Sequence, residues 1–168
     1  LFRGTCKYFL DQYEEAIKDL DKAIELDPAL FDSWNFRGIC KHSLDQYEEA
    51  IKDLDKAIEL DPALSYTWNF RGICKHFLDQ YEEAIKDFDK AIELDPELSE
   101  CWHFRGISKY WLDQYEEAIK DLDKTIELDP ELSASWSYRG RGKYWLDQYE
   151  EAIKDFDKAI ELDPELSE

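Results

Sequence analysis

The chain has 168 residues, of which 41 are Asp or Glu and 21 are Lys or Arg, so its formal net charge at pH 7 is −20. Such an acidic surface repels the phosphates of nucleic acids and of anionic lipid headgroups, so we expect neither as a partner. No apolar run approaches the roughly 18 residues that a membrane-spanning helix needs, and no signal-peptide pattern opens the sequence.

A fixed period of 34 residues organises the whole sequence. A nearly constant phrase, LDQYEEAIKDLDKAIELDP in one copy, recurs five times. A period in the range of roughly 20–50 residues is typical of solenoids, in which each unit buries its apolar face against its neighbours. The residues that recur at this step are Pro28, Pro62, Pro96, Pro130 and Pro164; Gly4, Gly38, Gly72, Gly106 and Gly140; and Trp34, Trp68, Trp102 and Trp136.

Each unit begins with a predicted helix, which in the copy at 65–98 runs from about Tyr66 to Leu78. Ser65 precedes this helix and is placed to cap it by accepting a backbone N–H bond. Gly72 lies in its middle, where glycine costs about 1 kcal/mol relative to alanine. Because the glycine recurs in every unit, we expect the partner helix to approach closely at this position.

A second helix is predicted from about Tyr81 to Leu94, and Asp95-Pro96 ends it because the residue before proline is disfavoured in helical geometry. Asp79, in the turn between the helices, has two interpretations. It forms a capping box with Glu82, or it takes the left-handed conformation that ends the first helix. The apolar stripe of the second helix consists of Tyr81, Ala84, Ile85, Phe88, Ala91 and Ile92, and its other positions, Asp87 included, are predicted to face solvent.

This pattern resembles the tetratricopeptide repeat family. The resemblance rests on Trp68, Gly72, Tyr81, Ala84, Phe88, Ala91 and Pro96 at the spacing of the family consensus. It implies an all-α fold, namely a right-handed α-α superhelix, or solenoid, of five antiparallel helix-turn-helix repeats. We expect a single array over 1–168, with repeats at about 1–30, 31–64, 65–98, 99–132 and 133–166. The first repeat is expected to be truncated at its N-terminal end, and no C-terminal capping helix is expected. Arg71, Lys75 and Asp79 depart from the consensus, which has leucine, tyrosine and glycine there.

The arginine that replaces the consensus leucine recurs in every repeat, and its role has two interpretations. The column could be a ladder of cations for an acidic ligand, or it could pair internally with carboxylates of the second helices such as Asp53 and Asp87. Because acids outnumber bases in each unit, the second interpretation is favoured, and it extends to Lys41, Lys75 and Lys109. The column consists of Arg3, Arg37, Arg71, Arg105 and Arg139.

Differences between the repeats are concentrated in the first helices, at positions three or four residues apart and therefore along one stripe. The family resemblance implies that first helices line the concave side of the superhelix. A groove of this composition is suited to an extended peptide or a helix. The predicted groove residues are Asn35, Ile39, His42, Tyr66, Asn69, Ile73, His76, His103, Ile107, Tyr110, Trp111, Ser137, Arg141 and Tyr144.

Packing between hairpins is the alternative role for this stripe. For aromatic residues such as Trp111 the two roles are equally supported. Asn35, Asn69 and His103 have little packing value, so exposure in the groove is favoured for them. One family subclass is excluded, because Ile39 and Ile73 stand where proteins that clamp chaperone C-termini carry a second asparagine, and no lysine occupies the groove.

Catalytic and metal motifs are absent from the sequence, which has no Gly-rich phosphate loop, no HExxH and no CxxC. We therefore expect no enzyme activity, no catalytic residue, no metal site and no cofactor. Cys6, Cys40 and Cys74 occupy equivalent places in stacked hairpins, roughly 8–10 Å apart or more. A disulfide needs Cα atoms within about 7 Å, so reduced thiols and an intracellular, cytoplasmic location are expected.

The sequence therefore predicts a non-enzymatic scaffold for protein–protein interaction, with a peptide or protein segment as its partner. The alternative is a structural or engineered array with no specific ligand. In either case the end repeats lack a polar cap, so copies are expected to associate end to end.

Overall fold

The computed structural model describes residues 1–167, and the regular elements of that part of the chain are all helical. Glu168, which belongs to the array predicted over 1–168, lies outside the described residues. The chain divides into two compact units. The first unit is Leu1–Leu94, and the second begins at Asp95.

Helices of the first unit pair as consecutive hairpins: α1 with α2, α3 with α4, and α5 with α6. Neighbouring hairpins contact each other through α2 against α3 and α4 against α5. The helices are α1 (Phe2–Tyr8), α2 (Tyr13–Leu26), α3 (Phe31–His42), α4 (Tyr47–Leu60), α5 (Ser65–Phe77) and α6 (Tyr81–Leu94). The ranges of α5 and α6 confirm the predicted helices to within one residue.

The second unit repeats the arrangement with two hairpins, α7 with α8 and α9 with α10, joined by contacts between α8 and α9. A short 3-10 turn follows α10 at Pro164–Ser167. The helices of this unit are α7 (Ser99–Trp111), α8 (Tyr115–Leu128), α9 (Ser133–Trp145) and α10 (Tyr149–Leu162).

The turn inside each hairpin contains an aspartate in the left-handed region, with φ of 58° at Asp79. Its carboxylate accepts a 2.5 Å hydrogen bond from the hydroxyl of Tyr81. In the equivalent turn before α4 the N-cap is Gln46, which makes no side-chain cap bond. The left-handed alternative is therefore correct and the capping box is wrong.

The predicted cap at Ser65 is also wrong, because α5 starts at Ser65 itself and its N-cap is the preceding leucine. Two other bonds fix this turn between hairpins. The carboxylate of Asp61 accepts a 3.0 Å bond from the backbone N–H of Ala63. The indole N–H of Trp68 donates a 3.0 Å bond to the carbonyl of Pro62.

The recurring glycine permits the close approach that the sequence predicts. A Cβ on Gly72 would lie 2.7 Å from Cε1 of Phe88, and one on Gly38 would lie 2.8 Å from Cγ of Leu54. Phe88 and Leu54 are fully buried. The core of each hairpin therefore requires a first helix with no side chain at this point.

Candidate functional site

Arginine side chains on the first helices bind carboxylates of two successive repeats. In α3, Nε and Nη2 of Arg37 donate 2.7 and 2.6 Å bonds to Asp53 in the same repeat. Its Nη1 donates a 2.6 Å bond to Asp21 in the preceding repeat. The guanidinium lies 4.8 Å from the ring centroid of Trp34, and Lys41 lies 2.7 Å from Asp53. Arg37 thus links two hairpins by ion pairs and by a cation–π contact.

The same network recurs at Arg71 with Asp87 and Asp55, and at Arg139 with Asp155 and Asp123. The internal-pairing interpretation of the arginine column is therefore confirmed at these positions. Asp87 was predicted to face solvent, and this is wrong, because it is buried and paired. An aspartate at this position reaches the first helix of its own hairpin. There the arginine guanidinium donates a hydrogen bond to each of the two carboxylate oxygens.

The polar column predicted to line the groove is buried. Asn35, Asn69 and His103 are 0, 1 and 7 % exposed, so the prediction that they are exposed is wrong. The physical reason is that Asn35 and His103 face the first helix of the next repeat. Thr67 Oγ1 donates a 3.0 Å bond to Asn35 Oδ1, and His103 Nδ1 shares a 2.7 Å hydrogen bond with Ser135 Oγ.

Further predicted groove residues also contribute to packing. The isoleucine column, Ile39, Ile73 and Ile107, is buried. His76 is buried as well, and this burial lowers the pKa of its imidazole to about 4 despite the opposing charge of Asp79. A neutral, desolvated imidazole of this kind is a core residue.

The remaining predicted residues are at least partly accessible. His42, Tyr110 and Ser137 are half-buried. The exposed members are Tyr66, Trp111, Arg141 and Tyr144. The predicted stripe therefore separates into a buried part and an exposed part, and only the exposed part presents large side chains to a partner.

A pocket of about 410 Å³ lies beside the N-terminal half of α7. It combines two carboxylates with an imidazole and two apolar side chains. Its lining residues are Ser99, Glu100, His103, Phe104, Asp129 and Leu132. Of these residues, only His103 belongs to the groove predicted from the sequence. Glu100 occupies a column that varies between repeats, as Asp32, Tyr66 and Ala134 do, and this was the available signal. Asp129 and Leu132 come from the turn after α8, and no sequence pattern identified them as site residues.

An apolar strip of α10 is exposed, with Tyr149, Ile153 and Ile160 on it. Exposed apolar patches mark interaction surfaces in soluble proteins. End-to-end association through this strip stays a prediction.

Within 1–167 no group of three or more His, Cys, Asp or Glu side chains is placed to hold a metal ion. The cysteines are free thiols. Burial raises the thiol pKa of Cys40, Cys74 and Cys101 to about 12, so they are poor nucleophiles. None of the helices in this part of the chain is long and apolar enough to cross a membrane.

Repeated helical hairpins with internally paired cations define a repeat scaffold, a class of protein that is generally non-enzymatic and serves in protein interaction. The chain belongs to the tetratricopeptide repeat family, which it matches over all five units. The matched segments are residues 1–30, 31–64, 65–98, 99–132 and 133–166.

Solved structures share this fold at low sequence identity. A crystal structure of MamA is 22% identical, with a TM-score of 0.88 over 98% of this chain and 96% of that one. MamA from Desulfovibrio magneticus RS-1 is 21% identical, with a TM-score of 0.88 over 96% of this chain and 92% of that one. YrrB is described as a tetratricopeptide repeat protein with an unusual peptide-binding site. It is 22% identical, with a TM-score of 0.83 over 96% of this chain and 83% of that one. The comparison with curated proteins found no match.

Proposed function

We propose that the chain is a scaffold that binds a peptide or protein segment on the exposed side of its first helices, with the pocket beside α7 as an anchoring point. The observation that carries this proposal is the pocket itself. Its volume of about 410 Å³ falls in the range of roughly 300–1,000 Å³ that is typical of ligand pockets. The peptide-binding site of YrrB, on the same fold, supports a ligand of this class.

The lining of the pocket defines what it can accept. Phe104 and Leu132 supply apolar area, while the carboxylates of Glu100 and Asp129 accept hydrogen bonds. No lysine or arginine is among the lining residues. The pocket therefore favours a side chain or backbone segment that presents N–H or O–H donors next to an apolar stem.

A display library of short peptides tests this proposal. Peptides selected on the wild-type chain are expected to lose binding to Glu100→Lys, which places a cation at the pocket. Glu49→Lys is the matched control, because it makes the same charge change on an exposed position of α4. Circular dichroism verifies that both variants keep their helicity.

The alternative, an array with no specific ligand, predicts a different result. In that case no peptide is enriched over background, or the enriched peptides bind Glu100→Lys and Glu49→Lys equally. Either result would contradict the proposed pocket.

A further inference from the structure

A continuous cluster of aromatic rings occupies the turns inside the two hairpins of the second unit. We call this cluster the aromatic edge. It lies at the C-terminal ends of α7 and α9 and at the start of α8 and α10, whereas the pocket lies at the opposite end of α7. Its members are Tyr110, Trp111, Tyr115, Tyr144, Trp145 and Tyr149.

Each ring contacts at least one other ring of the aromatic edge. Trp145 stacks on Tyr115 with centroids 6.0 Å apart and an interplanar angle of 12°. Its indole N–H donates a 3.1 Å hydrogen bond to the hydroxyl of Tyr110. Tyr110 meets Trp111 edge to face at 5.6 Å, and Tyr144 meets Trp145 in the same way at 5.7 Å. These contacts hold the rings in fixed orientations, which reduces the entropy lost when a ligand binds.

Much of this aromatic surface remains accessible. Trp111, Tyr144, Trp145 and Tyr149 are 51, 52, 56 and 48 % exposed. The fold does not require aromatic residues of this size, because Ser43 occupies the position of Trp111 and Trp145 two and three repeats earlier. α3 ends one residue earlier, at His42, with Ser43 as its C-cap, and it still pairs with α4 in a hairpin. Trp145 packs against Tyr115 and Tyr144, and more than half of the residue still remains accessible to a partner.

Carboxylates border these rings. The hydroxyl of Tyr115 donates a 2.5 Å bond to Asp113, and Tyr149 donates to Asp147 in the same way. Both aspartates are exposed. The turn-proximal part of each second helix adds further exposed acids, namely Glu116, Glu117, Glu150 and Glu151.

The exposed acids outnumber the accessible cations of the same helices, among which Lys120 and Lys154 are exposed. Two other nearby cations are bound within the unit. Lys109 and Lys143 lie 2.7 Å from Asp121 and Asp155 respectively. Arg141, which is exposed, lies with its guanidinium 5.0 Å from the ring centroid of Tyr138. The aromatic edge thus combines electron-rich faces with an excess of negative charge.

We propose that the aromatic edge is a second interaction surface, distinct from the pocket, which binds an extended Lys- and Arg-rich segment of a partner protein. Cationic side chains would lie on the exposed indole faces and the bordering carboxylates would receive their N–H groups. Indole is the ring that attracts cations most strongly. The net charge of −20 would also increase the rate at which a basic segment arrives.

The chain already uses this chemistry internally. Arginine guanidinium groups lie 4.6–4.8 Å from the indole centroids of Trp34, Trp68, Trp102 and Trp136 and donate to carboxylates at the same time. A partner arginine on Trp145, beside Asp113 and Asp147, would reproduce that combination of contacts.

A fluorescent peptide of alternating arginine and serine, twelve residues long, tests the proposal by anisotropy, with a glutamine–serine peptide as the neutral control. The double variant Trp111→Ser, Trp145→Ser is expected to bind the arginine peptide about tenfold more weakly than wild type. Serine is the matched choice because Ser43 stands at the equivalent position, directly after α3. In the wild type, the indole N–H signals of Trp111 and Trp145 are expected to shift on titration, and those of the arginine-stacked tryptophans are not.

Three results would overturn the proposal. Equal binding of the arginine peptide by wild type and the double variant would indicate attraction by surface charge alone. Equal binding of the glutamine peptide would remove the requirement for cations. The third result is that wild type self-associates with rising concentration, that the double variant does not, and that neither protein shows a peptide effect. This result would assign the aromatic edge to a second copy of the chain.

Glu100→Lys distinguishes the aromatic edge from the pocket. This variant is expected to weaken binding of the arginine peptide no more than Glu49→Lys does.

Discussion

The hydroxyl of Thr67 donates a 3.0 Å hydrogen bond to the side-chain oxygen of Asn35, and this bond joins two neighbouring first helices in a fully buried environment. Thr67→Val keeps the shape of the side chain and removes the donor. We expect a loss of about 1–3 kcal/mol in the free energy of unfolding, because the Asn35 oxygen is left buried without a donor. Urea denaturation followed by circular dichroism measures the change.

Ser33 provides the control for this prediction. It occupies the place of Thr67 one repeat earlier, but the residue equivalent to Asn35 is there Leu1, and the buried Ser33 hydroxyl has no hydrogen-bond partner. Ser33→Ala is therefore expected to be neutral or stabilising. Equal losses from Ser33→Ala and Thr67→Val would show that the hydrogen bond to Asn35 has no specific effect.

The Asn35 column also shows where sequence reasoning reached its limit. Spacing placed Asn35, Asn69 and His103 on one stripe of the first helices, which is correct. It could not show that Asn35 and His103 face the first helix of the next repeat, because a polar residue on a helix surface usually indicates solvent. The signal lay 32 residues away, at Thr67 and Ser135, which supply hydroxyl groups to Asn35 and His103.

A second prediction concerns the two carboxylates that bind Arg37. Asp53 is 4 % exposed and Asp21 is 47 % exposed. Asp53→Asn is expected to destabilise the chain by about 2–4 kcal/mol, because it leaves the charges of Arg37 and Lys41 poorly compensated in a largely buried site. Asp21→Asn is expected to cost about 0–1 kcal/mol, as is usual for exposed ion pairs. Urea denaturation of the two variants compares them directly, and equal losses would contradict the difference in burial.

The internal pairing of Arg37 could be anticipated from the sequence, because arginine and aspartate recur with the same period and acids are in excess. The geometry of this pairing could not be anticipated. The arginine reaches aspartates 16 residues ahead and 16 residues behind, and this symmetry depends on how successive hairpins stack. The pocket beside Glu100 was missed for a similar reason, since part of its wall comes from the turn after α8.

A third prediction compares two glycines of α9. A Cβ on Gly140 would lie 2.8 Å from the ring of Phe156, so Gly140→Ala is expected to destabilise by about 1–3 kcal/mol through overpacking. A Cβ on Gly142 would lie 3.2 Å from Cγ1 of Ile119, a side chain that is not fully buried.

At the place of Gly142 the earlier repeats carry larger residues, Cys40, Cys74 and Ser108, so a Cβ is accommodated there. Gly142→Ala is therefore expected to stabilise by up to about 1 kcal/mol, through the higher helix propensity of alanine. Thermal denaturation compares both variants with wild type. A loss at Gly142→Ala as large as that at Gly140→Ala would contradict the contrast.

The last prediction concerns pH and His76. Burial lowers the pKa of this imidazole from 6.5 to about 4, and the side chains in contact with it include the rings of Phe77 and Tyr81. The folded state thus holds His76 neutral, while the unfolded state binds a proton below pH 6.5. Between pH 6.5 and about 4 the unfolded state is therefore favoured progressively, by up to about 3 kcal/mol in total. His42, whose pKa burial also lowers, contributes with the same sign.

His76→Tyr isolates this effect, because Tyr110 and Tyr144 occupy the equivalent position in later repeats. The carboxylates titrate in both proteins, so the quantity to measure is the difference in unfolding free energy between wild type and variant as a function of pH. That difference is expected to move in favour of the variant by about 2 kcal/mol as the pH falls from 7 to 5. Parallel curves for the two proteins would mean that the pKa of His76 is the same in the folded and unfolded states.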